Sequence, residues 1–222
     1  MEDFVKDQIS YGLKYLPANL LRSYFIRKSS DETKRIRNEL GFICGVCHPT
    51  ENFRQIKGAN IGWVRMDIPF PFEKDGTVSS SYEGFKDKCR RFQNNGIRVM
   101  AVTPYPNDYI RYGADVRQEE GKKKIREIAR FIITDMKDCV SGLQITNEMG
   151  IPRFTIPLTL KEAAEFIAIN LEAMAPLKGN IIVGYNSAGP EAGLHSMLLA
   201  YMDYCDYVGI DIYMGCFFTM PG

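Results

Sequence analysis

Residues 143–149 read LQITNEM, a short apolar stretch that runs directly into an amide and a carboxylate, Asn147 and Glu148. An apolar run of four to six residues suits a buried strand. A polar pair at its end then marks the point where the strand leaves the core. The fold follows from what surrounds this run. Apolar, β-rich segments recur at 42–47, 60–68, 97–103, 141–146, 180–185 and 206–213. Helical periods lie between the later ones.

The helical segments carry their own punctuation. Ser80 and Glu83 have capping-box spacing ahead of a helix that presents Phe85, Cys89 and Phe92 on one face, and Gly96 stops it. Ile125, Ile128, Ala129, Ile132 and Met136 share one face of the next helix. Thr159 and Glu162 open a third, with Leu160, Ala163, Ile167, Leu171 and Met174 inward; a fourth follows Pro190 and runs to about Tyr204. Strands alternating with helices imply βα units and a parallel sheet. An open doubly wound sheet would gain from a glycine-rich phosphate loop, but no such pattern occurs. Polar residues instead gather after the strand ends: His48, Asp67, Tyr105, Asn147 with Glu148, Asn186 and Tyr213. That clustering is the habit of (β/α) barrels. The expected fold is an incomplete TIM-type (β/α)8 barrel of about six βα units over 41–222. Residues 1–40 form an N-terminal helical extension, with helical patches at Tyr11–Tyr15, Leu20–Ile26 and Asp31–Leu40.

Composition narrows the function. Lys and Arg total 28 against 27 Asp and Glu, a net charge of +1, which offers no electrostatic attraction for nucleic acid or an anionic membrane. No apolar run reaches the roughly 18 residues of a membrane span, and the start MEDFVKDQIS lacks the apolar stretch of a signal peptide. The chain is expected to be soluble and cytoplasmic, or secreted if its N-terminus has been trimmed. Cys44-Gly45-Val46-Cys47-His48 has the spacing of covalent haem attachment. Residues three apart on a strand point to opposite faces, however, so the two thiols cannot easily hold one macrocycle. No cofactor and no metal are expected.

Taken together, IGWVRMDIPF (strand 2), GIRVMAVTPYP (strand 3), ITNEM (strand 4) and DYVGIDIYMG (strand 6) resemble the retaining glycoside hydrolases with (β/α)8 barrels, the cellulase-like and β-xylosidase-like families. The resemblance implies a carbohydrate substrate and makes Glu148, at the end of strand 4, the general acid/base; otherwise Glu148 is a surface residue opening a loop. Cleaving a glycosidic bond needs a carboxylic acid that holds its proton near neutral pH, and burial favours that form. Asn147 would contact the sugar 2-hydroxyl, or serve as a turn-forming Asn. Arg65 would orient the nucleophilic carboxylate; the alternative is a structural ion pair with Asp67 or Asp211. Tyr213 would hydrogen-bond the nucleophile, or be a core aromatic. Tyr105, Tyr109, Tyr112, Phe70 and Phe72 are candidate sugar-stacking platforms or ordinary loop packing. His48 would bond a sugar hydroxyl or be structural.

One part of the family pattern is absent. The resemblance places the nucleophile, a Glu, at the end of strand 7, whereas this sequence shows six strand signals. Asp67 and Asp211 are on other strands. The competing function is a non-catalytic barrel relative that binds carbohydrate or protein.

Overall fold

The computed structural model describes residues 2–25, 44–189 and 191–211. Six parallel strands follow one another in chain order: β1 (Gly45–Cys47), β2 (Trp63–Asp67), β3 (Arg98–Val102), β4 (Gly142–Ile145), β5 (Ile182–Ser187) and β6 (Tyr207–Ile210). Helices stand between them: α1 (Glu2–Phe25), α2 (Phe53–Gly58), α3 (Ser80–Asn94), α4 (Pro106–Arg111), α5 (Glu119–Met136), α6 (Pro152–Thr155), α7 (Leu160–Met174) and α8 (Ala192–Leu198). This is an incomplete TIM-like barrel with an N-terminal helix.

Contacts between strands that are not neighbours show the sheet's curl. Tyr207 of β6 reaches Met100 Sδ of β3 at 3.4 Å, and Arg65 of β2 reaches Gln144 of β4 at 3.1 Å. Strands lie about 4.8 Å apart, so β3 and β6 in a flat sheet would be separated by about 14 Å. Their side chains can meet only across a concave face. Period-2 alternation then sorts the residues. Val64, Met66, Val99, Ala101, Leu143, Ile145, Val183 and Tyr185 are buried in the layer beneath the helices. Arg65, Met100, Gln144, Asn186 and Tyr207 share the concave side.

The helices bury the stripes that the sequence assigns to them. Ile125, Ile128, Ala129, Ile132 and Met136 of α5 are all buried, as are Leu160, Ala163, Ile167, Leu171 and Met174 of α7. Each large aliphatic side chain contributes about 1.5–3 kcal/mol by leaving water. The Thr159–Glu162 capping box is present, with both reciprocal hydrogen bonds made. The Ser80–Glu83 box is not. Ser79 is the N-cap, its N–H donates to Pro71 O, and its hydroxyl pairs with that of Ser81 at 2.6 Å. The Phe72–Val78 bridge holds the preceding loop and shifts the helix start by one residue. The short helices α2, α4 and α6 have too few residues to show a period. β5 runs two residues beyond the expected end and takes Asn186 into the strand. The segment after Pro190 is α-helical to Leu198 and a 3-10 helix from Leu199 to Tyr204.

Tyr11–Tyr15 and Leu20 onward belong to one helix, α1, that continues through Pro17. The patch Asp31–Leu40, the proposed boundary at residue 40 and Tyr213 lie outside the described residues. Small and amide-bearing residues dock α1 on α8. A Cβ on Gly193 would stand 2.6 Å from Gln8 O, so the close approach requires glycine there. Asn19 Nδ2 donates to Ser196 O at 3.1 Å. Gln8 uses both ends of its amide: Nε2 donates to Gly150 O at 3.2 Å, and Oε1 accepts from Leu194 N–H at 3.0 Å. One side chain thereby joins the loop after β4 to the start of α8. Gln8→Ala removes both bonds and is expected to cost about 1–3 kcal/mol in urea unfolding, with faster amide exchange in residues 149–151 and 193–195. Unchanged stability and exchange would show that α1 docks through its other contacts alone.

Candidate active site

Beyond Ile145 the backbone turns through two left-handed residues, Thr146 at φ 52° and Glu148 at φ 48°. A β-branched residue rarely occupies that region, and such conformations persist only where the surroundings enforce them. Side-chain hydrogen bonds supply the enforcement. Thr146 N–H donates to the buried Thr103 Oγ1 at 2.9 Å. Gln144 Nε2 donates to Thr146 O at 2.6 Å. Glu148 N–H donates to Asn186 Oδ1 at 2.9 Å. The turn leaves Glu148 at 5% exposure and brings Asn147 to the concave face.

Arg65 is the charge at the centre of this arrangement. Its Nε donates to Gln144 Oε1 at 3.1 Å and its Nη2 to Asn147 Oδ1 at 2.5 Å. Gln144 Nε2 also donates to Asn186 Oδ1 at 2.9 Å. Asn186 Nδ2 donates to Asn147 Oδ1 at 2.9 Å and to Asp211 Oδ2 at 2.7 Å. The chain Arg65–Gln144–Asn147–Asn186–Asp211 thus crosses β2, β4, β5 and the end of β6. Arg65 forms no ion pair with Asp67 or Asp211 among the described residues, which sets aside that alternative. The amide oxygens occupy its donors instead. They fix Asn147 as well: with its oxygen facing two donors, its Nδ2 is the atom left to donate elsewhere.

The other expected site residues lie around this network. Tyr105 caps α4, and its charged neighbours are Asp67, Arg65, Glu148 and Arg153. Burial first, and then the Asp67 charge, push its phenol up to about 12. Its ring stacks on Phe154 at 5.7 Å. His48 stands on the rim after β1, with Nε2 3.8 Å from Asp67 Oδ2 and a side chain more than half exposed. Tyr109 is fully buried, and Phe70, Phe72 and Tyr112 pack with it and Phe131 into one aromatic cluster. Tyr109 therefore cannot serve as a platform.

Sequence reasoning gave no role to Gln144, read Asn186 only as a tip residue, and missed Glu191. Glu191 lies just beyond β5 at 8% exposure, and its Oε1 accepts the Ala188 N–H at 3.2 Å. A Cβ on Gly150 would fall 1.6 Å from Glu191 Oε2, so the carboxyl rests directly against the backbone two residues after Glu148. Burial pushes Glu191 up to about 7; the Ala188 N–H opposes this, and the charges of Glu148 and Asp211 add to it. Among the described residues no cluster of His, Cys, Asp and Glu is suited to a metal, and no helix is long and apolar enough to cross a membrane.

No family model matches the chain, and no curated protein matches it. Solved structures do. The β-galactosidase of the psychrophilic Marinomonas ef1 aligns with 78% of this chain and 41% of its own at 10% identity and TM-score 0.57. The β-glycosidase BGL167 aligns with 72% and 53% at 10% identity and TM-score 0.54. A β-glucosidase from Exiguobacterium marinum aligns with 63% and 37% at 16% identity and TM-score 0.51. The likeness shows the fold. The chain spans only about a third to a half of these structures.

Glu191 gives the site a signature in stability. Its folded value is raised from 4.5 to about 7, so folding favours the protonated form. That contribution is fully present below pH 4.5 and is lost as pH rises through about 7. Roughly 3 kcal/mol is at stake, at 1.36 kcal/mol per unit. Glu191→Gln mimics the protonated group and should gain stability over the wild type between pH 5 and pH 8 in urea unfolding. A constant difference across that range would mean that Glu191 does not titrate there.

Proposed function

We propose that this barrel is part of a retaining β-glycoside hydrolase that acts on a β-linked oligo- or polysaccharide, with Glu148 as general acid/base. One observation carries the proposal. Glu148 ends β4 at the face where barrel enzymes build their sites, held in a left-handed turn by the same side chains that orient Asn147. The likeness to proteins described as β-glucosidase and β-galactosidase supports it.

The chemistry would divide as follows. The Glu148 carboxyl gives its proton to the glycosidic oxygen as the bond to the anomeric carbon breaks, and a second carboxylate attacks that carbon from the opposite side. Water then displaces the resulting ester while Glu148, now ionised, takes the water's proton. Asn147 Nδ2 would donate to a sugar hydroxyl beside the scissile bond, its direction set by Arg65. Tyr105 and His48 would meet the sugar from the ends of β3 and β1. Tyr213 and the attacking carboxylate, expected on a seventh strand, stand outside the described residues.

A second reading, a non-catalytic barrel that binds carbohydrate, has its own support. Asp211 is held by Asn186, and Glu191 is packed behind Gly150. Neither of these carboxylates beside Glu148 is open to an anomeric carbon.

The test assays residues 1–222, and the polypeptide extended as far as the reading frame allows, on aryl β-glycosides. The extended polypeptide should hydrolyse them and residues 1–222 should not. Glu148→Ala should slow poor leaving groups by about 10²–10⁴-fold and activated dinitrophenyl glycosides far less, with azide restoring turnover as the β-glycosyl azide. Equal losses on both substrates without rescue would remove Glu148 from the role. Carbohydrate binding without turnover in either polypeptide would establish the second reading.

A further inference from the structure

We infer that Glu191 is the proton-sharing partner of Glu148: the two carboxyls, packed together at Gly150, release their protons as one coupled pair. Naming Glu148 as the acid/base rests on the function proposed above; the pairing rests on geometry alone.

Three features place the groups together. First, Gly150 exposes bare backbone to the Glu191 carboxyl, and any side chain there would overlap Oε2. Second, Glu191 Oε2 is buried without a hydrogen-bond partner, while Oε1 has only the Ala188 N–H. An ionised carboxylate would leave a charged oxygen buried and unsatisfied, whereas a carboxylic acid places a proton on it. Third, Gln8 ties Gly150 O to the N–H of Leu194, so the two loops cannot separate to relieve repulsion.

The titratable groups facing Glu191 are Glu148 from the loop after β4, Asp211 at the end of β6, and Tyr185 of β5, whose hydroxyl bonds His195 Nδ1 at 2.9 Å. From α1 comes Gln8, which is uncharged. No cation is among the groups that shift Glu191. Two carboxyls in one dry site resist ionising together, so their protons leave in two macroscopic steps. When Glu148 gives up its proton, Glu191 keeps its own and the site holds one negative charge rather than two. Conversely, ionising Glu191 makes Glu148 hold its proton to higher pH. Glu191 would thus act on the reaction through Glu148 as a positioning residue.

The experiment is carbon-13 NMR of the side-chain carboxyls of labelled Glu in residues 1–222, titrated in wild type, Glu148→Gln and Glu191→Gln. The Glu191 midpoint should fall by about one pH unit in Glu148→Gln, and the Glu148 midpoint should fall equally in Glu191→Gln, because coupling is reciprocal. If one variant does not fold, the reciprocal variant decides alone. Midpoints that stay within error of wild type would overturn the pairing. The readout needs no turnover: coupling without hydrolysis leaves the pair intact and removes the proposed function, and hydrolysis without coupling does the reverse.

Discussion

A guanidinium on the concave face of a curled sheet has to find acceptors, and the organisation of this site follows from how Arg65 finds them. Losing hydration without replacement would cost several kcal/mol. Hydrogen bonds to a charged group return about 1.5–3 kcal/mol each. The acceptors are the amide oxygens of Gln144 and Asn147 rather than a carboxylate. An amide that accepts at its oxygen must donate from its nitrogen. Gln144 therefore passes its N–H groups to Thr146 O and Asn186 Oδ1, and Asn186 passes its own to Asn147 and Asp211. Arg65 thus sets the orientation of each side chain around it. The backbone strain at Thr146 and Glu148 is held within the same network.

Glu148 sits where two environments meet. On one side is the hydrogen-bonded interior of the sheet. On the other, the loop at Gly150 and the start of α8 enclose Glu191 and are joined by Gln8 of α1. Nearby carboxylates in such an enclosure disfavour one another's ionisation, the usual route by which barrel enzymes keep an acid protonated near neutral pH. The N-terminal helix therefore does more than cover the outside of the barrel. It fixes the spacing of the loops that carry both acids.

The layers of the fold were legible because their signals are periodic and redundant. The stripe Ile125, Ile128, Ala129, Ile132, Met136 needs no knowledge of its partners, and six apolar runs at regular intervals exclude most alternatives. ITNEM was legible as a strand end because a polar pair interrupts an apolar run. Gln144 carried a weaker signal of the same kind, one amide between Leu143 and Ile145, and its role emerges only once Arg65 is seen across the sheet. Glu191 carried none. A Glu after Gly-Pro at a helix start is ordinarily solvated, and its burial comes from Gly150, some forty residues away in sequence, and Gln8 at the other end of the chain. The Ser80 cap was misplaced because its true position depends on the Phe72–Val78 bridge, a contact that local spacing does not encode.

The central claim is that the side-chain network holds Glu148 in place, and amide exchange at Glu148 tests it most directly. Its N–H donates to Asn186 Oδ1, so Asn186→Ala removes that acceptor while leaving the helices intact. The account predicts at least roughly tenfold faster exchange at Glu148, equivalent to about 1.4 kcal/mol of lost protection, with the buried amides of α5 unchanged. Exchange at Glu148 that keeps its wild-type rate, or rises only in step with α5, would contradict it.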